Sequence, residues 1–170
     1  LNIHTIEVIP EIFNRNKINF SYLKDVNWHL GTSFDILPEI LPNLKGVTLF
    51  WMDAHFPGAD FGFSSYGDEK DDDKRLPLKK ELETIKENRD TTNDVFVIDD
   101  LRIYEDGPFE SGNWDERSKY GGDGIEFIEN LFDKTHYIVR SYNAQGSIIL
   151  FPVEKNIDDE VNNLIVGDVE

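Results

Sequence analysis

Two stretches decide the fold: Val47-Thr48-Leu49-Phe50-Trp51-Met52-Asp53 and Val95-Phe96-Val97-Ile98-Asp99-Asp100. Each is a short apolar run that stops abruptly in carboxylates. The first, continuous over 47–52, predicts a strand covered on both faces, as in a parallel sheet. The second, over 95–98, predicts another buried strand. Upstream, the β-branched residues 3–9 read as a strand bounded by Pro10, which suits the first turn of a helix through EIFNRNKINF. Residues 25–30 alternate and stop at Gly31. Thr32 or Ser33 then caps a short helix, SFDILPEIL, interrupted at Pro38. Apolar residues at 78, 82 and 85 give helical spacing within 76–86. Residues 124–132 predict an amphipathic helix. Residues 136–142 and 146–151 predict strands joined by a tight turn at Asn143-Ala144-Gln145. A polar loop spans 54–75, a length that suits a lid or binding loop, and a Gly- and acid-rich loop spans 104–122. The order is α/β, with a mainly parallel sheet and a C-terminal antiparallel hairpin strand. Residues 1–152 form the expected domain, and 153–170 an acidic tail.

Composition narrows the function. Of 170 residues, 34 are acidic and 17 basic, for a formal charge of −17. That excludes a phosphate-tracking nucleic-acid binder and disfavours an anionic membrane surface. No apolar run approaches the ~20 residues of a membrane span. With no cysteine, thiol nucleophiles, zinc–thiolate sites and disulfides are excluded, and a reducing, cytoplasmic location is expected. The chain opens at Leu1, and its single methionine is Met52. The expectation is a processed, excised or truncated polypeptide.

The acids at the strand ends carry the chemistry. In open α/β sheets ligands bind beyond the carboxyl ends of the strands. If the two strands are neighbours, Asp53, Asp99 and Asp100 converge there. Three clustered carboxylates repel unless a cation compensates, and hard oxygens suit Mg²⁺, Mn²⁺ or Ca²⁺. The plainer alternative is a set of helix caps or ordinary strand-end acids. His55 follows Asp53 by two residues and is a candidate general base; a loop histidine bonded to backbone is the alternative. Glu7 ends the first strand, where an acid accepts from ribose hydroxyls in nucleotide-binding folds, or simply sits exposed. Gly31-Thr32-Ser33 permits close approach to a ligand. Arg102, Tyr104 and Trp114, with Asp106 and Glu110, are candidates for a polar substrate wall, though Trp114 equally suits a loop anchor. His4, His29 and His136 fall inside strand patterns and read as structural or surface residues.

Taken together, HTIEVIPEIF, WHLGTSFDILPEIL, VTLFWMDAHFPGAD, LPLKKELETI and VFVIDDLRIY resemble the class I S-adenosylmethionine-dependent methyltransferases over roughly residues 3–151. The nearest likeness is to metal-dependent O-methyltransferases of sugars and related polyols. The DAH…IDD pair is its most specific part. The resemblance implies a Rossmann-like sheet ordered 3-2-1-4-5-7-6, with Mg²⁺ or Mn²⁺ on Asp53, Asp99 and Asp100. It further implies His55 as base, and S-adenosylmethionine against Glu7, Gly31, Thr32, Ser33 and Asp53. A small-molecule or glycan substrate follows, with no nucleic acid or membrane partner. Two features depart from the pattern. No strand and Gly-rich turn precede Ile3, and Thr32 replaces the usual acid after the third strand. The expectation is that such a strand lies upstream of Leu1, in a larger polypeptide that can carry other domains, and that residues 3–9 do not pair directly with 47–52.

Two other readings compete. WMDAHFPGAD resembles the WxDAHxD signature of ureohydrolases such as arginase, which bind two Mn²⁺; here Pro57 stands where that motif has Asp, and Asp60 comes three residues late. The third reading is a non-catalytic acidic binding module.

Overall fold

A computed structural model describes residues 2–114 and 124–153. The expected acidic tail, beyond Val153, and residues 115–122 of the second loop lie outside them. The described chain is mixed α/β, with parallel and antiparallel strands. It divides into two units: one of residues 1–44 with 54–89, the other of 45–53 with the described residues from 90 onward.

In the first unit β1 (Ile3–Glu7) pairs in parallel with β2 (Val26–Leu30), from Ile3 opposite Val26 to Glu7 opposite Leu30. The crossover is α1 (Pro10–Asn19), with Pro10 in its first turn and Ile12 as its buried residue. After β2 comes α2 (Ser33–Ile40), and Pro38 lies inside this helix rather than interrupting it. A 3₁₀ turn, Leu41–Asn43, follows directly. Pro38 is tolerated because it falls near the end of an eight-residue helix, where it removes a single ladder bond.

Residues 54–75 are more ordered than the polar loop expected. Phe56 is buried, and its N–H donates to the Arg75 carbonyl (2.8 Å), closing the segment at its base. Gly58 and Gly62, both left-handed, flank a 3₁₀ turn at Ala59–Phe61. Helix α3 (Asp72–Arg75) is capped by the Asp71 carboxylate, which accepts from the Asp73 N–H. Helix α4 (Leu78–Asn88) packs against α2 and buries Leu78, Glu81, Leu82 and Ile85, the i, i+3, i+4, i+7 stripe of one face.

The second unit holds a four-stranded sheet ordered β3-β4-β6-β5. Strand β3 (Leu49–Met52) runs parallel to β4 (Val95–Asp99); β6 (Ser147–Pro152) is antiparallel to both β4 and β5 (His136–Ser141). One face is a core. Phe50, Phe96 and Leu150 align across it, as do Met52, Ile98 and Ile148. Phe96 stacks on Phe50 with centroids 4.9 Å apart and meets Phe132 of α5 (Glu126–Phe132) at the same distance. The other face of β3 is open. Leu49 and Trp51 are 63% and 64% exposed, so the apolar run at 47–52 is covered on one face, not two. His136 is structural, as read: it is buried, and Nε2–H donates to the Asp94 carbonyl (3.0 Å).

Among the described residues β1 pairs with β2 alone, and β3 with β4 alone. No helix among them is long and apolar enough to cross a membrane.

Candidate functional site

Adjacency of the two apolar strands is the condition on which an acid cluster depends, and it holds. Met52 lies opposite Ile98, so Asp53 and the Asp99-Asp100 pair leave the sheet at the same ends of neighbouring parallel strands. A carboxylate oxygen of Asp53 and one of Asp100 lie within 4.8 Å of each other. Asp53 is exposed, and Asp100 is buried at 8%.

Asp100 is held by its backbone. Its φ of 54° and ψ of 49° are left-handed, a conformation Asp adopts more readily than most residues. The 3₁₀ turn Leu101–Ile103 follows, with Leu101 and Ile103 fully buried. The Leu101 and Arg102 N–H groups donate to the Gly146 and Gln145 carbonyls of the β5–β6 turn (3.1 and 3.2 Å). The sharp reversal therefore separates two neighbours that sequence alone groups together. Asp99 turns a carboxylate oxygen back to accept the Asp100 N–H (2.9 Å), while Asp100 faces Asp53.

His55 stands two residues beyond Asp53, a separation that the chain bounds at about 7 Å between Cα atoms. Its ring packs edge-on against Phe56 (5.5 Å).

The wall residues are unequal. The Arg102 guanidinium lies over the Trp114 ring (4.7 Å) and 4.0 Å from an Asp100 oxygen. It also donates to Gln145 and to the Ser111 carbonyl. Trp114 is thus both a loop anchor and a cation–π partner. Tyr104 is buried against Phe127 and belongs to the core. Glu110 accepts the Ala144 N–H (2.9 Å) and braces the hairpin turn.

In the first unit Glu7 spends one carboxylate oxygen on the Ile9 N–H (2.8 Å), and its carbonyl accepts from Gly31 (3.0 Å). Gly31 has φ of 154°, and a Cβ there meets Ile36 at 3.1 Å. Thr32 donates to Asp35 (2.6 Å), and Ser33 bonds Glu81. Glu7, Gly31, Thr32 and Ser33 thus gather at one end of the two-stranded sheet.

Glu81 is the residue that motif reading missed. It sits within LPLKKELETIK as one more polar helix position, and only the packing of α4 on α2 reveals that it is 2% exposed. Burial pushes its carboxyl from 4.5 up to about 7, against the opposing pull of the Ser33 bond and the His55 charge. The signal available in sequence was its i+3 spacing from Leu78, which places it on the apolar stripe.

The donor set of Asp53 and Asp100 fits a hard divalent cation. Two carboxylates this close repel, and oxygen ligands of this kind suit Mg²⁺, Mn²⁺ or Ca²⁺ rather than softer metals. A scan against protein-family models finds no match to this chain, and a search of curated proteins finds none.

Proposed function

We propose that the protein is an S-adenosylmethionine-dependent O-methyltransferase acting on a hydroxyl of a sugar or similar polyol, assisted by a divalent metal. The observation that carries this reading is the approach of the Asp53 and Asp100 carboxylates at the ends of paired parallel strands. The orders β1-β2 and β3-β4-β6-β5 support it too, because both occur as runs within the sheet order that the sequence resemblance implies.

In this reading Asp53 and Asp100 hold Mg²⁺ or Mn²⁺, with Asp99 in the same turn. When bound, the cation lowers the pKa of a coordinated hydroxyl. His55 takes the hydroxyl proton, and Arg102 on Trp114 forms a cationic, aromatic wall for a polar substrate. Glu7 offers its remaining carboxylate oxygen to ribose hydroxyls, beside Gly31, Thr32 and Ser33. The rate advantage comes mainly from positioning.

His55→Ala is expected to lower turnover by ~10²–10⁴-fold while leaving cofactor affinity nearly unchanged. Methyl transfer to polyols, followed with labelled S-adenosylmethionine on the full-length polypeptide, tests the reading; an equal loss of cofactor binding contradicts the role given to His55.

A further inference from the structure

Away from the acid pair, a row of polar side chains crosses the two-stranded sheet. Its members are Asn2 and His4 at the start of β1, and Asn27 and His29 on β2; both histidines are half-buried. Their hydrogen bonds run in one direction. The Asn27 amide donates to the Asn2 carbonyl oxygen (2.8 Å). The Asn2 amide nitrogen, which can only donate, lies 3.1 Å from His4 Nε2. Nε2 is therefore an acceptor, and the proton of neutral His4 sits on Nδ1. That N–H donates to His29 Nε2 (3.0 Å). The ring planes lie within 10° of each other, and the two nitrogens approach more closely than stacked rings allow, so the imidazoles meet edge to edge.

We infer that the His4–His29 bond is a proton-operated catch between β1 and β2, closed while His29 Nε2 is an acceptor and opened when that nitrogen takes up a proton. Once protonated, Nε2–H faces the Nδ1–H of His4. Two donors then meet, and the bond is lost. Both α1 and α2 pack on this sheet. Helix α1 lies on the opposite face, where Phe13 meets Trp28. From α2, the Glu39 carboxylate favours the charged ring. Burial and the His4 charge outweigh it and hold His29 below its ordinary value of 6.5. The stability contributed by the bond is thus present above pH 6.5 and is lost as pH falls through the lower folded value. The catch lies beside the turn in which the Gly31 N–H donates to the Glu7 carbonyl (3.0 Å), so its release loosens that end of the sheet. Under the proposed function this is the cofactor end, which the pair places under the control of pH; the catch itself does not rest on that reading.

The test is NMR-detected amide hydrogen exchange of the intact protein at about pH 7.5 and about pH 5, each rate taken relative to an unstructured peptide at the same pH. The comparison is with His29→Gln, whose carbonyl oxygen can accept from His4 but cannot be protonated. Dividing wild type by this variant at each pH removes the effect of Glu81, which titrates in the same unit. The wild-type-to-variant ratio for the β1–β2 amides and Gly31 is expected to rise by about three- to tenfold at the lower pH, the loss of one hydrogen bond. The β4–β6 amides are expected to keep a constant ratio. A ratio for β1–β2 that does not change with pH overturns the inference, as does an equal rise in both sheets. A second measurement needs no folded glutamine variant. The His29 ring is expected to titrate lower in wild type than in His4→Ala, and equal midpoints also overturn the inference. Neither experiment requires cation or methyl transfer. A failed transfer assay alongside a pH-dependent ratio removes the proposed function and leaves the catch standing.

Discussion

The two sheets are built from similar strands and come out differently. In the four-stranded sheet, β4 and β6 alternate half-buried and buried positions, and Phe96, Ile98, Ile148 and Leu150 are almost fully enclosed. In the two-stranded sheet, β1 and β2 contain no buried residue at all. The first unit takes its core from helices instead: Ile12, Leu37, Leu41, Leu78, Leu82 and Ile85. A two-stranded sheet is marginal by itself. Order in one unit is thus set by strand alternation, and in the other by helix stripes that carry the strands along.

The largest effect should separate the two sheets. Phe96→Ala removes a ring enclosed by Phe50, Phe132 and His136 and should cost about 3–5 kcal/mol in denaturant unfolding. Ile6→Ala in half-buried β1 should cost well under half of that; equal costs would erase the contrast.

Next is the pH dependence of the helical unit. Below about pH 4.5 Glu81 is protonated in both folded and unfolded chains, and its full contribution to stability is present. As pH rises toward 7 the unfolded chain releases its proton first, so this contribution falls, by about 3 kcal/mol once the folded value of about 7 is passed. Glu81→Gln should flatten the decline, as read from unfolding midpoints between pH 5 and about 8. A slope that survives the substitution would place its source elsewhere.

The smallest effect is expected on the open face of β3. Trp51→Thr removes an exposed ring and should change stability by no more than about 0.5 kcal/mol. A loss near that of Phe96→Ala would mean that this face is covered in solution.

Much of this was legible in the sequence. The strands and helices fall within a few residues of their expected positions, because β-branched runs and 3.6-residue spacing are local signals. Two matching apolar runs make β3 and β4 candidates for neighbours, and the structure supplies the adjacency that the acid cluster requires. Four features were not legible. An apolar run does not say how many faces are covered, and Leu49 and Trp51 lie on the uncovered one. Pro38 marks a break only where the helix continues well beyond it. The divergence of Asp99 from Asp100 depends on the left-handed backbone at 100, held by hydrogen bonds to a turn more than forty residues away. Glu81 was hidden for a similar reason, since its burial depends on a neighbouring helix.

The central claim is that Asp53 and Asp100 act together on a divalent cation, and calorimetric titration of the intact chain with Mg²⁺ and Mn²⁺ tests it most directly. Wild type should bind one cation, and Asp53→Asn and Asp100→Asn should each weaken binding by at least about 10–100-fold, neither change altering the fold. Binding that is absent in wild type, or that both variants retain unchanged, would contradict the account.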